Sequence, residues 1–496
     1  MTLLARVPSG AARVIDPLIW QVAGLAMTQA VISTALALVI GLPIANVVSR
    51  YRFRGRAFTQ ALVTVPFVLP TVVVALAFRS LWGGLQGLAI VVIAHAYINI
   101  AVVVRIVGAR WAQHDDRRES LARTLGATPW QAFRTVTWPM LRGSIASAAA
   151  VVFVFCLTSL GIVLILGDAS TRTLEAQILR QTSVLLDFPG AAASAVVQLL
   201  LVAVVLGIAT LIAQRSSTER PVEARLRPLP ARVIPRAAVL GTAATAVVIV
   251  AAPVIALIAA SLTSDAGPTF AWWQSLGSID AGTTRIGSPL GAIGTSLLFA
   301  LLTGIIAGLI GGMAALALLS HRIGRGITAL ALIPLGVSAA TLGLGTLLAY
   351  GRPPLDLRPS GLLIPLAHSL VAIPLVVAVV APALRATDFR QATVAATLGA
   401  RPTRAFFTAY GPILRVVMLA AGGLAAAVSL GEFGAASFLA RTGNPTVPIQ
   451  IVRLLGRPGE QSIGTAAALA VVLIALTLAV VLLVDRLGRR DLGRAA

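Results

Sequence analysis

Long apolar runs alternate along this chain with short segments that carry most of its charge. A bilayer core about 30 Å thick takes about twenty apolar residues per helix. On that rule the pattern predicts spans near Val22–Val48, Ala57–Phe78, Gly87–Ile106, Ile145–Leu166 and Ala191–Ala213. Beyond a polar, proline-punctuated stretch at 214–236 it predicts Ala237–Leu262, Leu290–Leu319, Ile327–Leu348, Leu362–Leu384, Val416–Phe438 and Ala466–Val484. The first half thus has five expected spans and the second six.

The pattern is also duplicated. Arg123 to Arg142 reads RTLGATPWQAFRTVTWPMLR, and 273 positions later Ala396 to Arg415 reads ATLGARPTRAFFTAYGPILR, with eleven of twenty positions identical and no gap. An internal repeat of this kind marks two copies of one unit. In the first copy a short polar helix from about Asp116 is expected to stop at Gly126, a residue suited to the left-handed position that ends helices. Thr128, Pro129 and Gln131 then have the spacing of a capping box with proline at the first helical position. A second short helix carries Trp130 and Phe133, and Pro139 is expected to break it before the next apolar run. The second copy keeps Gly399, Pro402, Phe406 and Pro412 at the same spacing, with Arg401 in place of the capping threonine. The expected product is an L-shaped elbow that occurs twice.

This stretch resembles the EAA loop of ABC-importer permeases, in which a glycine is followed thirteen residues later by a proline; Gly126/Pro139 and Gly399/Pro412 both have that spacing. The position of the family's glutamate holds Ser120 and Thr393, the final alanine is kept as Ala122 and Ala395, and Glu119 lies one place off. The 273-residue offset also matches Gly161 with Gly434, Thr173 with Thr446, Gln177–Ile178 with Gln450–Ile451, Arg180 with Arg453 and His95 with His368. The resemblance implies a fused permease of a binding-protein-dependent importer. Its fold would be all-α and polytopic, with two homologous halves of about five and six helices of the type I (MetI-like) kind. A pseudo-twofold axis along the membrane normal would relate them, with the solute path between them.

Composition supports a membrane protein. Hydrophobic residues make up 58% of the chain and charged residues 11%, too apolar for a soluble protein of this size. The formal net charge of +22 taken alone suggests nucleic-acid binding, but the placement of the charges excludes it. All 39 basic residues are arginine; with both elbows in the cytosol, 28 fall in inner segments and 11 in outer ones, as the positive-inside rule requires. That topology puts the C-terminus in the cytosol and the N-terminus outside; the resemblance implies a multi-pass protein of the bacterial inner membrane. With no lysine, the chain lacks the P-loop residue that holds nucleotide phosphates, so ATP hydrolysis is expected from a separate subunit. The one cysteine, Cys156, lies in an apolar run and cannot form an intrachain disulfide. No cleavable signal peptide is visible.

Ionisable groups inside a membrane need a partner or a purpose. Glu432, in SLGEFG, is the main one expected, and Ser159 holds the equivalent place in the first copy. A carboxylate there favours a cationic solute; the alternative is a Glu432 paired with Arg441 to hold a helix end. His95 and His368 are read chiefly as neutral imidazoles steadying helix packing, with a place on the path as the alternative. Pro43, Pro66, Pro70, Pro334, Pro365 and Pro374 permit bends. Trp272 and Trp273 look like interfacial anchors. No catalytic set, metal-binding set or directly bound cofactor is expected.

The expected organisation is a first permease half over 1–213 with a coupling elbow at 112–142, a linker at 214–236, and a second half over 237–496 with an elbow at 385–415. The resemblance implies two copies of an ABC ATPase subunit docked on the elbows, with Gly126, Ala127, Trp130, Phe133, Pro139, Gly399, Ala400, Phe406 and Pro412 as the coupling residues. It also implies an extracytoplasmic solute-binding protein, with ATP held by the ATPase partner. Among fused permeases the chain looks most like the thiamine and ferric-iron importers. The alternatives are an anion importer of the sulfate or phosphonate type and an ion-coupled secondary carrier.

Overall fold

The computed structural model describes residues 14–113, 116–214, 226–277, 288–317, 323–351, 356–357, 360–386, 390–441, 443 and 445–495. Arg215, Arg220 and Arg225 of the expected linker lie outside them. The described residues are almost entirely helical; the strands among them are Thr263–Ser264 and Gly267–Pro268, paired antiparallel. Nine described helices are long and apolar enough to cross a bilayer, or ten if one bent pair counts as a span, against the eleven expected. The chain is an all-α polytopic membrane protein.

The missing spans are accounted for by helix breaks at proline and glycine. The expected span Ala57–Phe78 is two helices, Arg56–Val68 and Thr71–Leu81, which meet at 107°. Pro70 forces this bend, because it has no N–H to continue the ladder and drives Leu69 into extended backbone (ψ 137°). The expected span Ile327–Leu348 is likewise interrupted. Helix Ile323–Leu332 passes into a single 3-10 turn at Ile333–Gly336, and helix Ala339–Tyr350 starts afresh. Ser338 caps the new helix by accepting from the Thr341 N–H at 3.0 Å. Pro43, Pro66 and Pro374, by contrast, sit inside helices that continue past them.

Two further breaks fall at matched places. The expected span Ile145–Leu166 ends its first helix at Leu157 and resumes as Gly161–Leu166. The expected span Val416–Phe438 ends at Gly431 and resumes as Gly434–Leu439. Each short helix leads to another, Leu174–Ser183 in the first copy and Val447–Leu455 in the second, neither of them expected from hydropathy. They carry the matched Gln177–Ile178 and Gln450–Ile451 pairs.

The chain divides into two compact units, one running through Leu257 except for Pro70–Val73, which group with the other, and the other from Ile258. The packing boundary falls one helix later than the 214–236 stretch that separates the sequence copies. Helix Val233–Ala260 packs with the first unit: its Ala246 and Val250 cluster with Ile44, Val48, Val63 and Ile100. The Tyr97 hydroxyl donates to the Val250 carbonyl at 2.9 Å, so a buried phenol is satisfied by that helix. In the second unit, helices Pro289–Ala317 and Pro402–Gly431 approach so closely at Gly304 that a Cβ there would lie 2.8 Å from the Gly422 carbonyl oxygen. Close glycine contacts of this kind replace the hydrophobic drive that lipid cannot supply.

Trp272 and Trp273 are not free anchors. Trp272 is buried and its indole N–H donates to the Thr263 carbonyl at 2.9 Å, while that of Trp273 donates to the Ser261 carbonyl at 3.0 Å. Together they pin the hairpin back onto its own unit.

Candidate functional site

The first elbow is built from local signals. Helix Asp116–Thr124 ends in a turn in which the Gly126 N–H donates to the Arg123 carbonyl and the Ala127 N–H to the Ala122 carbonyl, both at 3.1 Å. Gly126 takes φ +93°, which L side chains rarely adopt. The capping box then forms as expected: the Thr128 N–H donates to Gln131 Oε1 at 2.8 Å, and the Gln131 N–H donates to Thr128 Oγ1 at 3.3 Å.

The second elbow repeats the turn bond for bond. After helix Arg390–Thr397, the Gly399 N–H donates to Ala396 and the Ala400 N–H to Ala395, both at 3.0 Å, with Gly399 at φ +82°. Arg401 stands at the N-cap without a capping side-chain bond. Threonine is therefore dispensable to the shape, and both copies keep the left-handed glycine.

The proline at position 139 does not act as the spacing predicts. Pro139 does not break the run, because Pro129–Ala132 passes through a π-turn at Phe133–Thr137 directly into helix Trp138–Leu157. Pro139 falls in the first turn of that helix, where its missing N–H costs least, and the π-turn absorbs the mismatch. In the second copy the helix from Pro402 runs through position 412 to Gly431 without interruption.

Exposed apolar side chains crown both elbows. Leu125 and Leu398 are each 82% exposed, Trp130 is 68% exposed and stacked on the half-buried Phe133, and Phe407 is 65% exposed. Sequence reasoning selected Phe406, but Phe406 is half-buried and stacks on Tyr410 with ring centroids 5.0 Å apart. It missed Leu125, Leu398 and Phe407; their signal was an apolar residue beside a left-handed glycine or one place from the matched aromatic.

Glu119, on the first elbow helix, turns towards its own unit. Its carboxylate meets Arg50 at 2.9 Å, at the end of helix Pro17–Arg50, and Arg227 at 3.3 Å. Burial alone raises its pKa, but the two guanidinium groups outweigh that and hold it below the usual glutamate value.

Ser159 and Glu432 both stand at helix breaks. The Ser159 hydroxyl is buried and finds no hydrogen-bond partner among the described residues. Glu432 ends helix Pro402–Gly431, and its Oε1 accepts from the Ala435 N–H at 3.1 Å. The alternative pairing with Arg441 is not made among the described residues; the Arg441 carbonyl accepts from the Arg453 guanidinium at 3.2 Å. Discontinuous helices of this kind line solute sites in other transporters.

The histidines occupy polar knots, each within its own unit. His95 Nδ1 lies 2.6 Å from Gln29 Nε2, which also donates to Ser33 Oγ; the Asn99 side-chain amide donates to the His95 carbonyl at 2.8 Å. His368 Nδ1 lies 2.8 Å from Ser429 Oγ, which donates to Thr303 Oγ1 at 3.1 Å. The ring bonds go to side chains; the first knot joins two helices, Pro17–Arg50 and Leu88–Ala112, and the second joins three, Pro289–Ala317, Leu363–Ala386 and Pro402–Gly431. Sequence reasoning also overlooked Glu175, which is fully buried and accepts from the Gln198 side-chain amide across helices Leu174–Ser183 and Phe188–Gln214.

Residues 37–218 match the family described as binding-protein-dependent transport system inner membrane component. The thiamine transport system permease protein ThiP of Brucella abortus (strain 2308) is 27% identical over 507 aligned residues, covering 95% of this chain and 88% of the relative. The corresponding permease of Salmonella typhimurium is 30% identical over 40% of this chain and 41% of its own length. The sulfate transport system permease protein CysT of Escherichia coli is 33% identical over 33% of this chain and 65% of its own. With two glycine-bent elbows, matched broken spans and this similarity, the chain is a fused permease of the ABC-importer type, resembling the thiamine-transport permeases along nearly its whole length.

Proposed function

We propose that this permease imports thiamine, using ATP hydrolysed by two copies of a separate ATPase subunit and cargo delivered by an extracytoplasmic binding protein. The observation that carries the solute is the length of the thiamine-permease match, 95% of this chain, where the sulfate permease covers 33%. Thiamine is a cation, and Glu432 places a carboxylate at a helix break. The two halves correspond to 1–213 and 237–496, joined by the linker at 214–236.

The elbows face the cytosol on this reading, because that orientation gives 28 of the 39 arginines to the inner side. It leaves the C-terminus inside and the N-terminus outside. Leu125 and Trp130 on one elbow, and Leu398 and Phe407 on the other, would seat in the ATPase subunits. Closing of the ATPase pair on ATP then moves the elbows, and packed helices carry that motion to the broken spans as rigid bodies. Gly126, Ala127, Gly399 and Ala400 shape the elbows, while Ser159, Glu432, His95 and His368 mark the interior of the two copies.

The test is uptake of labelled thiamine by proteoliposomes holding the permease, its ATPase and its binding protein. ATP-dependent thiamine accumulation is expected. Accumulation of sulfate or molybdate in its place would overturn the solute; accumulation driven by an ion gradient without ATPase would overturn the importer mechanism.

A further inference from the structure

The stretch entering the second half does more than connect. Arg227 is fixed by its backbone: its N–H donates to the Arg50 carbonyl at 2.7 Å, and its carbonyl accepts from the Arg52 N–H at 2.8 Å. Leu229, two residues on, packs against the cluster of Val47, Val239 and Ala243. The Arg227 side chain is thereby aimed from a fixed base, and its guanidinium reaches Glu119 on the first elbow helix at 3.3 Å, beside Arg50 at 2.9 Å. A carboxylate gripped from two directions is held in position and not merely neutralised. The residue 273 positions after Glu119 is Ala392, so the second copy has no carboxylate at the matched position.

We infer that Glu119 is a positioning residue for energy coupling: Arg50 and Arg227 brace the first elbow through it, so that the inter-half linker takes part in transmission at that elbow. This rests on the proposed docking of ATPase subunits at the elbows. When the ATPase moves the first elbow, the helix Asp116–Thr124 drags the end of span Pro17–Arg50 and the Arg227 segment with it. Without the carboxylate the elbow would pivot about Gly126 and the stroke would be partly lost.

The brace is read without any partner by placing spin labels at Leu125→Cys and Val233→Cys, exposed positions on the elbow and at the start of helix Val233–Ala260, in the full chain carrying Cys156→Ser. In lipid nanodiscs Glu119→Gln and Arg227→Ala should each broaden the distance distribution, and Glu119→Asp should leave it narrow. Transmission is read in proteoliposomes with the ATPase that co-purifies with the wild-type chain. Thiamine taken up per ATP hydrolysed should fall about fivefold in Glu119→Gln and in Arg227→Ala, the low end of ordinary coupling between sites, with the ATPase still bound and Glu119→Asp retaining uptake. Unchanged distance distributions, or unchanged uptake per ATP with the complex intact, would overturn the brace. A wild-type chain that binds no ATPase would sink the docking reading, while the label distances would still decide whether the brace exists.

Discussion

Gly464 lies against the indole of Trp272 so closely that a Cβ at this position would come within 2.5 Å of ring atom Cδ2. The contact joins the hairpin segment to helix Glu460–Ala495, and it is reinforced where Ser275 Oγ meets Thr465 Oγ1 at 2.6 Å and where Glu460 accepts from the Asp265 N–H at 2.7 Å. Overpacking a fitted contact costs about 1–3 kcal/mol. Gly464→Val should therefore lower the apparent Tm in detergent by several degrees, and Gly464→Val with Trp272→Leu should recover part of the loss; an unchanged Tm in the single variant would refute the close fit.

The elbows give a prediction that separates docking from packing. Trp130→Ala combined with Phe407→Ala removes exposed aromatic surface from both elbows. It should weaken retention of the ATPase in a pull-down by tenfold or more, about 1.4 kcal/mol or greater, with little change in Tm. Phe406→Ala, which empties a half-buried site against Tyr410, should do the reverse.

At Glu432 an isosteric change divides capping from solute contact. Glutamine keeps an oxygen that can accept from the Ala435 N–H, so Glu432→Gln should leave Tm nearly unchanged, whereas Glu432→Ala should lose about 1 kcal/mol with the cap. If the carboxylate charge meets the cationic solute, Glu432→Gln also lowers thiamine uptake several-fold. Full uptake in that variant would remove Glu432 from the path and leave it as a cap.

The knot around His368 predicts an inequality between two small changes. Ser429 Oγ links His368 to Thr303, and the residue matched to Ser429 in the first copy is Cys156. Ser429→Ala strands two buried polar partners and should cost about 1–3 kcal/mol. Ser429→Cys retains a weak bridging group and should cost less, as measured by thermal unfolding of the purified chain.

The Glu119 cluster sets a pH dependence of defined sign. Its carboxyl lies below the ordinary value of 4.5 in the folded protein. A lowered carboxyl pKa contributes stability that is complete above the unfolded value and is lost as pH falls through the folded one. Wild type should therefore lose Tm relative to Glu119→Gln as the pH drops below about 4.5, and the two curves should run parallel above it.

How much of this was legible beforehand follows from the range of the forces involved. The elbow turn was readable because it is local: a glycine at positive φ and, in the first copy, a capping box a few residues long determine it, and both copies adopt the same pair of backbone bonds. Membrane class followed from composition, since transfer of apolar surface is a sum over residues that needs no coordinates. The breaks at Pro70 and Pro334 had their residues in view, yet proline also sits within unbroken helices at Pro43, Pro66 and Pro374. Which prolines break a helix depends on whether surrounding packing can satisfy the freed carbonyls.

By itself the sequence determined the duplication, the membrane class, the two left-handed glycines and the excess of arginine on one side of the expected spans. Only the tertiary structure decided that Phe407 and not Phe406 is the exposed aromatic of the second elbow, that Glu175 is buried against Gln198, and that Glu119 is held by Arg50 and Arg227 from 69 and 108 residues away. Contacts between residues so distant along the chain leave no periodic or capping signal. They exist only once the helices have packed and each charged or polar group has had to find a partner out of water.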